Sequence, residues 1–209
     1  TKFYFYFVLV LSMFMLILFN VEVKKSLWDV HNSPVEKAER LAGGAEARSR
    51  AEVERCISDI IKALQNMSKN NVGALIVLSK GNLPKQVLQS GVMLDAEIST
   101  QLIEGIFFPK APLHDGAMII RGHKIQAAGC FLPLTQKTSY PKEFGTRHRA
   151  GIGITEVSNV VSLVVSEETG IISIIKQGNV QRYADYDMLK GALRDYYWQE
   201  LPLSDKKNK

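Results

Sequence analysis

An uninterrupted apolar run stands at the start of the chain, before any periodic pattern begins. Seventeen residues without a charge extend from Phe3 to Phe19, close to the lower limit for a helix that spans a bilayer. Two lysines follow the run and one precedes it, so the positive-inside rule places the remainder in the cytoplasm. We expect a single-pass anchor in the cell membrane over residues 1–23 rather than a signal peptide, because no small-residue cleavage site follows closely. The chain begins with Thr1 and not with Met, so we expect that a few residues precede it.

Residues 24–70 are predicted to form a helical connector. Its second half carries an apolar heptad seam, formed by Val53, Ile57, Ile60, Leu64 and Met67. Such spacing with charged residues between is typical of an amphipathic helix. Two heptads do not decide between a short coiled coil that pairs two chains and a helix that packs on its own domain.

From residue 71 onward, short apolar runs alternate with helical spacing, which indicates an α/β domain. Strands are predicted at 73–79, 116–120, 125–134 and 160–166, followed by a hairpin with its turn at 177–179. Helices are predicted at 99–108 with Ser99 as N-cap, briefly after Gly145, and from Tyr186 to the end of the domain. We therefore expect a central mixed β-sheet flanked by helices over residues 71–199, followed by a basic tail at 200–209.

Charge and cysteine content narrow the function classes. The net charge of +5 favours nucleic acid, anionic lipid or a phosphorylated small molecule as partner and does not choose among them. Cys56 and Cys130 are far apart in unrelated contexts, which excludes a disulfide framework and a thiolate metal site. A reducing compartment agrees with a cytoplasmic domain.

A histidine, an acid and a glycine stand directly before the predicted strand at 116–120. Because ligands bind at strand ends in α/β sheets, His114 and Asp115 are well placed for a metal or a nucleotide hydroxyl. Gly116 would allow a ligand to approach the backbone. A simple turn with Asp115 as its cap explains the same residues.

The stretch "GTRHRAGIGITE" places cations where a helix begins. Thr146 is the predicted N-cap, and Arg147, His148 and Arg149 fall in the first turn. Cations oppose the helix dipole at this end, at a cost of up to about 1 kcal/mol each, unless an anion such as a polyphosphate binds there. The alternative is an exposed basic turn.

A third stretch, "VSEETG" at 165–170, ends a predicted strand with a hydroxyl and two carboxylates. Glu167 or Glu168 could supply oxygen to a hard divalent cation. A tight turn accounts for the same residues.

Together, "LHDGAMII", "GTRHRAGIGITE" and "VVSEETGIIS" resemble the signature of the diadenylate cyclase family. The resemblance covers about residues 71–199, and the single apolar span resembles the membrane-anchored class with one N-terminal span. The resemblance implies a nucleotidyltransferase that makes cyclic di-AMP from two ATP and releases two pyrophosphates.

The resemblance also implies roles for individual residues. Asp115 would assist attack of a ribose 3′-hydroxyl on an α-phosphate, beside Gly116 and Ala117. His114 and Glu168 would hold a catalytic Mn or Mg ion. The triphosphate would be bound by Gly145, Thr146, Arg147, His148, Arg149 and Ser166. Phe131 and Leu132 would bind adenine, with Phe131 where the family commonly has tyrosine.

Since each domain would bind one ATP, the resemblance further implies that two domains face each other in a homodimer. Two other classes stay open. A nucleotide-sensing module would use the same phosphate contacts without turnover. A nucleic-acid-binding protein is disfavoured, because no broad basic stripe or aromatic ladder runs along the domain. The sequence names no regulatory protein and no preferred metal.

Overall fold

The computed structural model describes residues 2, 4–9, 11, 50–137, 140–141 and 143–198. The chain divides into two compact units, residues 1–47 and 48–209. In the first unit the described residues are helical. No helix among the described residues is long and apolar enough to cross a membrane. The predicted span from Phe3 to Phe19, most of the connector and the tail at 200–209 lie largely outside the described residues and stay predictions.

The second unit alternates helices and strands. Its helices are α1 (Arg50–Lys69), α2 (Lys85–Ser90), α3 (Thr100–Phe107), α4 (Thr146–Val157) and α5 (Tyr186–Trp198). Its strands are β1 (Ala74–Ser79), β2 (Val92–Glu97), β3 (Ala117–Arg121), β4 (Lys124–Cys130), β5 (Val161–Val165), β6 (Ile172–Lys176) and β7 (Asn179–Arg182). The predicted strands and the hairpin with its turn at 177–179 are confirmed, although the strand predicted at 125–134 ends at Cys130. Ser99 caps α3 by accepting a hydrogen bond from the Leu102 amide. α2 and β2 were not predicted.

The strands form one seven-stranded sheet in the order β2-β4-β3-β1-β5-β6-β7. β1 runs parallel to β3 and antiparallel to β5, and the other neighbours pair antiparallel. The sheet is therefore mixed, as predicted. β1 holds the middle position, and the strand predicted at 160–166 lies beside it as β5.

Helices cover both faces of the sheet, which explains why β1 is apolar at nearly every position. Ala74, Ile76 and Leu78 point into one cluster with side chains of α1, α3 and α5. Leu75 and Val77 point into the other, with side chains of α2 and α4. The period of two along β1 thus divides the core into two layers.

The apolar seam of α1 packs on its own domain. Ile57, Ile60, Leu64 and Met67 are at most 2% exposed and belong to the cluster with α3 and α5. The compact unit accordingly begins at residue 48, before α1. Of the two alternatives that the sequence left open, the structure shows the helix that docks on the sheet.

α4 differs from its prediction in length and in its cap. It runs for 12 residues, longer than the short helix predicted after Gly145. Gly145 is its N-cap without a side-chain hydrogen bond, and Thr146, the predicted cap, is the first helical residue. Two glycines let this helix approach its neighbours. A Cβ on Gly153 would collide with the carbonyl oxygen of Pro133, and one on Gly151 would lie 3.0 Å from Cδ1 of Ile175. Close packing explains glycine in this helix interior despite its low helix propensity.

His148 points from the first turn of α4 into the core and is 5% exposed. Its ring stacks on Phe144 at 4.9 Å between centroids, and Nε2 lies 3.2 Å from Oγ of Ser173. Burial, with the Arg182 charge second, lowers the pKa of His148 to about 4. The imidazole is therefore neutral at physiological pH.

We predict that Ile60→Ala lowers the free energy of unfolding by about 2 to 5 kcal/mol, because it leaves a cavity between α1 and the sheet. Lys62→Ala, at an exposed position on the same helix, serves as the control and should change stability by less than about 0.5 kcal/mol. Urea denaturation followed by circular dichroism measures both. Equal small effects would show that α1 does not contribute to the core.

We also predict acid destabilisation through His148. In the unfolded chain its pKa returns to about 6.5, so the unfolded state binds more protons between about pH 6.5 and 4, and stability falls as pH falls through that range. Between about pH 6.5 and pH 4 the free energy of unfolding therefore falls by about 3 kcal/mol, and above about pH 6.5 this loss is absent. His148→Gln should flatten this part of the stability profile, measured by urea denaturation at each pH. Parallel profiles for the two proteins would contradict the prediction.

Candidate active site

The pairing register of four strands brings several chain segments to one edge of the sheet. Ala74 pairs with Val165, Ala117 pairs with Cys130, and β1 and β3 run in the same direction. The segments beyond these residues therefore emerge together. They are Gly73, Asp115–Gly116, Phe131–Leu132 and Ser166–Gly170.

Gly116 is where the first stretch passes close to β4. Its φ is +128°, and a Cβ there would lie 2.7 Å from the carbonyl carbon of Gly129. Only glycine fits this conformation and this contact. The tight passage leaves Asp115 exposed beside it, while Ala117 is fully buried as the first residue of β3.

His114 is held by a backbone contact. Its Nδ1 lies 2.6 Å from the carbonyl oxygen of Ala111. Since a carbonyl only accepts, Nδ1 carries the hydrogen and donates it. Nε2 of the half-buried ring is then left with a lone pair, which is the arrangement found in histidines that bind metal.

Arg147 connects the three polar stretches of the sequence. From the first turn of α4, its Nη2 donates to the carbonyl oxygen of His114 at 3.3 Å, and Nη1 forms an ion pair with Glu167. Burial lowers the pKa of Arg147, partly offset by the charge of Asp115. Its buried Nε has no hydrogen-bond partner among the described residues. The guanidinium stays charged, since its normal pKa lies far above neutrality.

The remaining residues of the second stretch divide between surface and interior. Gly145 and Thr146 are exposed at the start of α4, and Arg149 is half-buried, with Nε donating to the carbonyl oxygen of Phe144 at 3.2 Å. His148 alone points away into the core. The free amides of the first helical turn and the Arg147 guanidinium therefore lie at this edge, and the imidazole packs against Phe144 on the core side of the turn.

The third stretch forms a turn between β5 and β6. Oγ of Ser166 accepts a hydrogen bond from the Thr169 amide at 3.4 Å, and the Glu167 and Glu168 side chains are exposed. Oγ of Ser68, from the last turn of α1, donates to the carbonyl oxygen of Gly170 at 2.6 Å. The turn is thus fixed both by its own hydrogen bonds and by α1.

Phe131 and Leu132 follow β4 at the same edge. The Phe131 ring is 67% exposed, and its amide donates to Oγ of Ser90 at 2.9 Å. Leu132 is half-buried against the core layer of α4. An exposed ring on a fixed backbone offers a stacking surface to a planar ligand.

The sequence offers Glu167 as a possible metal ligand, but it predicts neither the contact of Glu167 with Arg147 nor the contribution of Gly73 to this site. Glu167 is the ion-pair partner of Arg147, and Gly73 leaves the space in which they meet. A Cβ on Gly73 would overlap Cγ of Glu167 and lie 2.7 Å from Nη1 of Arg147. The only sequence signal for Gly73 is its position directly before a buried strand.

No group of three or more His, Cys, Asp or Glu side chains in the described part of the chain is arranged to hold a metal ion. A divalent ion at this edge would therefore need ligands from a bound molecule in addition to protein atoms. The available donors, an imidazole nitrogen and exposed carboxylates, suit Mn or Mg.

Comparison with known proteins identifies the family of the chain. Residues 61–180 match the family model described as DisA bacterial checkpoint controller nucleotide-binding. The chain is 34% identical over 187 residues to the cyclic di-AMP synthase CdaA of Bacillus subtilis, covering 86% of this chain and 63% of that protein. It is 44% identical over 136 residues to a diadenylate cyclase of Listeria monocytogenes, covering 65% of this chain and 50% of that protein. The chain thus spans about half to under two thirds of the length of these relatives.

Solved structures show the same fold. A double mutant of DacA from Staphylococcus aureus superposes with a TM-score of 0.67 at 41% identity, covering 69% of this chain and 97% of that one. A hypothetical membrane spanning protein from Bacillus cereus gives a TM-score of 0.59 at 41% identity, covering 61% and 63% of the two chains. From the family match, the relatives and the shared fold, the chain belongs to the diadenylate cyclase family.

Proposed function

We propose that this protein condenses two ATP molecules into cyclic di-AMP and releases two pyrophosphates. The observation that carries the proposal is the position of Arg147, which contacts the His114 backbone and the 166–170 turn from the start of α4. A triphosphate at this edge would meet helix amides and guanidiniums beside the exposed Asp115 carboxylate. These are the groups that phosphoryl chemistry requires.

Asp115 is the group we assign to the reacting hydroxyl. It accepts the proton of a ribose 3′-hydroxyl, or orients that hydroxyl, as its oxygen bonds to the α-phosphorus of the other ATP. The bond from that phosphorus to the bridging oxygen breaks, and pyrophosphate leaves with the electron pair. Two such transfers close the ring. Gly116 and Ala117 follow Asp115 directly in the chain and would line the ribose through their backbone atoms, since the Ala117 side chain is buried.

The start of α4 and the turn after β5 bind the triphosphate in this proposal. Gly145 and Thr146 present backbone amides, Arg147 and Arg149 supply positive charge, and Ser166 supplies a hydroxyl. These groups neutralise the charge that develops on the leaving pyrophosphate. The buried His148 acts indirectly, by fixing the first turn of α4 against Phe144.

His114 and Glu168 are the proposed protein ligands of a divalent ion, Mn or Mg. The fit rests on the His114 ring, because the Nδ1 hydrogen bond to the Ala111 carbonyl oxygen leaves the lone pair of Nε2 available to a metal ion. When bound, the ion polarises phosphate oxygens and offsets their charge. The triphosphate would supply the ligands that the protein lacks.

Phe131 and Leu132 are the proposed adenine site. The exposed Phe131 ring stacks on the base, and Leu132 provides an apolar contact at the rim of the core.

Two catalytic domains must face each other in a homodimer, because each binds one ATP and both phosphodiester bonds join the two nucleotides.

We further propose a single-pass anchor over residues 1–23 in the cell membrane and a cytoplasmic catalytic domain. The charge asymmetry around the apolar run and the similarity to a membrane spanning protein support this placement. Anchoring would raise the local concentration of domains and favour their pairing.

We predict that Asp115→Asn lowers the rate of cyclic di-AMP formation by at least about 100-fold, because asparagine keeps the shape of the side chain and cannot accept the proton. ATP affinity should stay within about threefold, since the phosphate-binding groups are unchanged. Chromatography measures the product, and calorimetry measures binding. Asp187→Asn, exposed on α5, is the matched control with normal turnover. Wild-type turnover in Asp115→Asn would remove this residue from the mechanism.

We predict that activity per molecule rises with protein concentration, because a monomer holds half of the reacting groups. The test is a dilution series of the full chain in detergent, with product formation and light scattering recorded on the same samples. Dilute protein should bind ATP normally and make little product. Constant activity per molecule in samples that contain only monomers would overturn the face-to-face arrangement.

A further inference from the structure

The guanidinium of Arg147 already has an anionic partner within the chain. Glu167 reaches it from the turn between β5 and β6, and the two side chains form an ion pair. The partner is neither Asp115 nor Glu168, the two acidic residues to which the family resemblance assigns roles in the site. A carboxylate therefore lies at the place where a phosphate is expected.

The two members of this pair differ in freedom of movement. The Arg147 side chain is 19% exposed, fixed by its bond to the His114 carbonyl oxygen, whereas the Glu167 side chain is 55% exposed on a surface turn. Glu167 can therefore turn into solvent at little cost, because a half-exposed carboxylate is readily hydrated. Arg147 cannot leave without losing its backbone contact and exposing its stem.

The local backbone provides space for the contact. Gly73 lies directly beneath both side chains, and any Cβ at that position would overlap Glu167. The 166–170 turn is also held from below by Ser68 through the Gly170 carbonyl oxygen. The ion pair thus forms within a fixed framework, in which Glu167 is the exchangeable part.

We propose that Glu167 is a resident counter-ion of Arg147, which the triphosphate displaces when it binds. This inference rests on the proposed function and adds a positioning residue to it. Glu167 compensates the partly buried guanidinium and keeps it aligned with the phosphate site. The same contact competes with the substrate, so Glu167 weakens nucleotide binding while it preserves the geometry of the site.

Calorimetric titration with ATP, in EDTA so that no divalent ion contributes, tests the competition in the full chain. Glu167→Gln should tighten ATP binding on the order of fivefold, the factor that corresponds to a partly exposed ion pair. Glu97→Gln is the control. This substitution removes the same charge from an exposed position at the end of β2. Glu97 lies opposite Lys124 in the strand register, at the other end of the strands from the site, so ATP affinity should stay unchanged.

A double-mutant cycle separates a counter-ion from a general effect of charge. In an Arg147→Gln background, ATP binds more weakly and the gain from Glu167→Gln should disappear, because there is no guanidinium to release. A gain that persists without Arg147, or unchanged or weaker ATP binding in Glu167→Gln alone, would overturn the counter-ion role. Thermal unfolding confirms that each variant is folded, and Glu167→Ala provides a second removal of the carboxylate.

The outcome for the proposed function is read from the wild-type chain. If it binds ATP and makes cyclic di-AMP, but Glu167→Gln does not bind ATP more tightly, the counter-ion role alone fails. If the wild-type chain neither binds ATP nor makes the product at concentrations where it dimerises, the proposed function fails, and the counter-ion role fails with it.

Discussion

The parallel pairing of β1 with β3, beside the antiparallel pairing of β1 with β5, is the constraint on which the site depends. The first pairing makes the segments before β1 and β3 share an edge, and the second adds the segment after β5. Burial of both faces of β1 keeps this strand in the middle of the sheet, where it can pair on both sides. Gly73 and Glu167 are far apart in the chain, but they lie side by side because Ala74 pairs with Val165 in this register.

The local sequence pattern predicts most of the strands. It predicts neither the outer strand β2 nor the contact between Arg147 and Glu167 at the site. β1 and β5 were found because continuous apolar runs are typical of strands buried on both faces. α2 and β2 were missed because residues 85–97 are largely exposed, including Val92 and Met93, so no period marks them. The contact between Arg147 and Glu167 could not be predicted, since it depends on the register between distant segments and not on spacing within either one.

The burial of His148 could have been predicted from its spacing along the helix, although its polar side chain suggests a surface position. The family resemblance assigns Arg147, His148 and Arg149 together to the triphosphate, although consecutive side chains on a helix point in different directions. His148, Ile152 and Thr155 are spaced four and three residues apart and are all buried. That helical period marks His148 as an interior residue. The two arginines on either side are left half-buried at the surface.

The hydrogen bond from Ser68 to the Gly170 carbonyl oxygen fixes the end of α1 to the turn between β5 and β6. α1 is therefore part of the domain that it precedes. Cleavage of the backbone between Lys69 and Ala74 would fall in the loop between α1 and β1, yet it would not release an intact domain. It would remove Ile57, Ile60 and Leu64 from the core and expose one apolar face of the sheet. The 166–170 turn would also lose its hydrogen bond from Ser68. The boundary that matters to a protease, or to a gene fusion, therefore lies before Arg48.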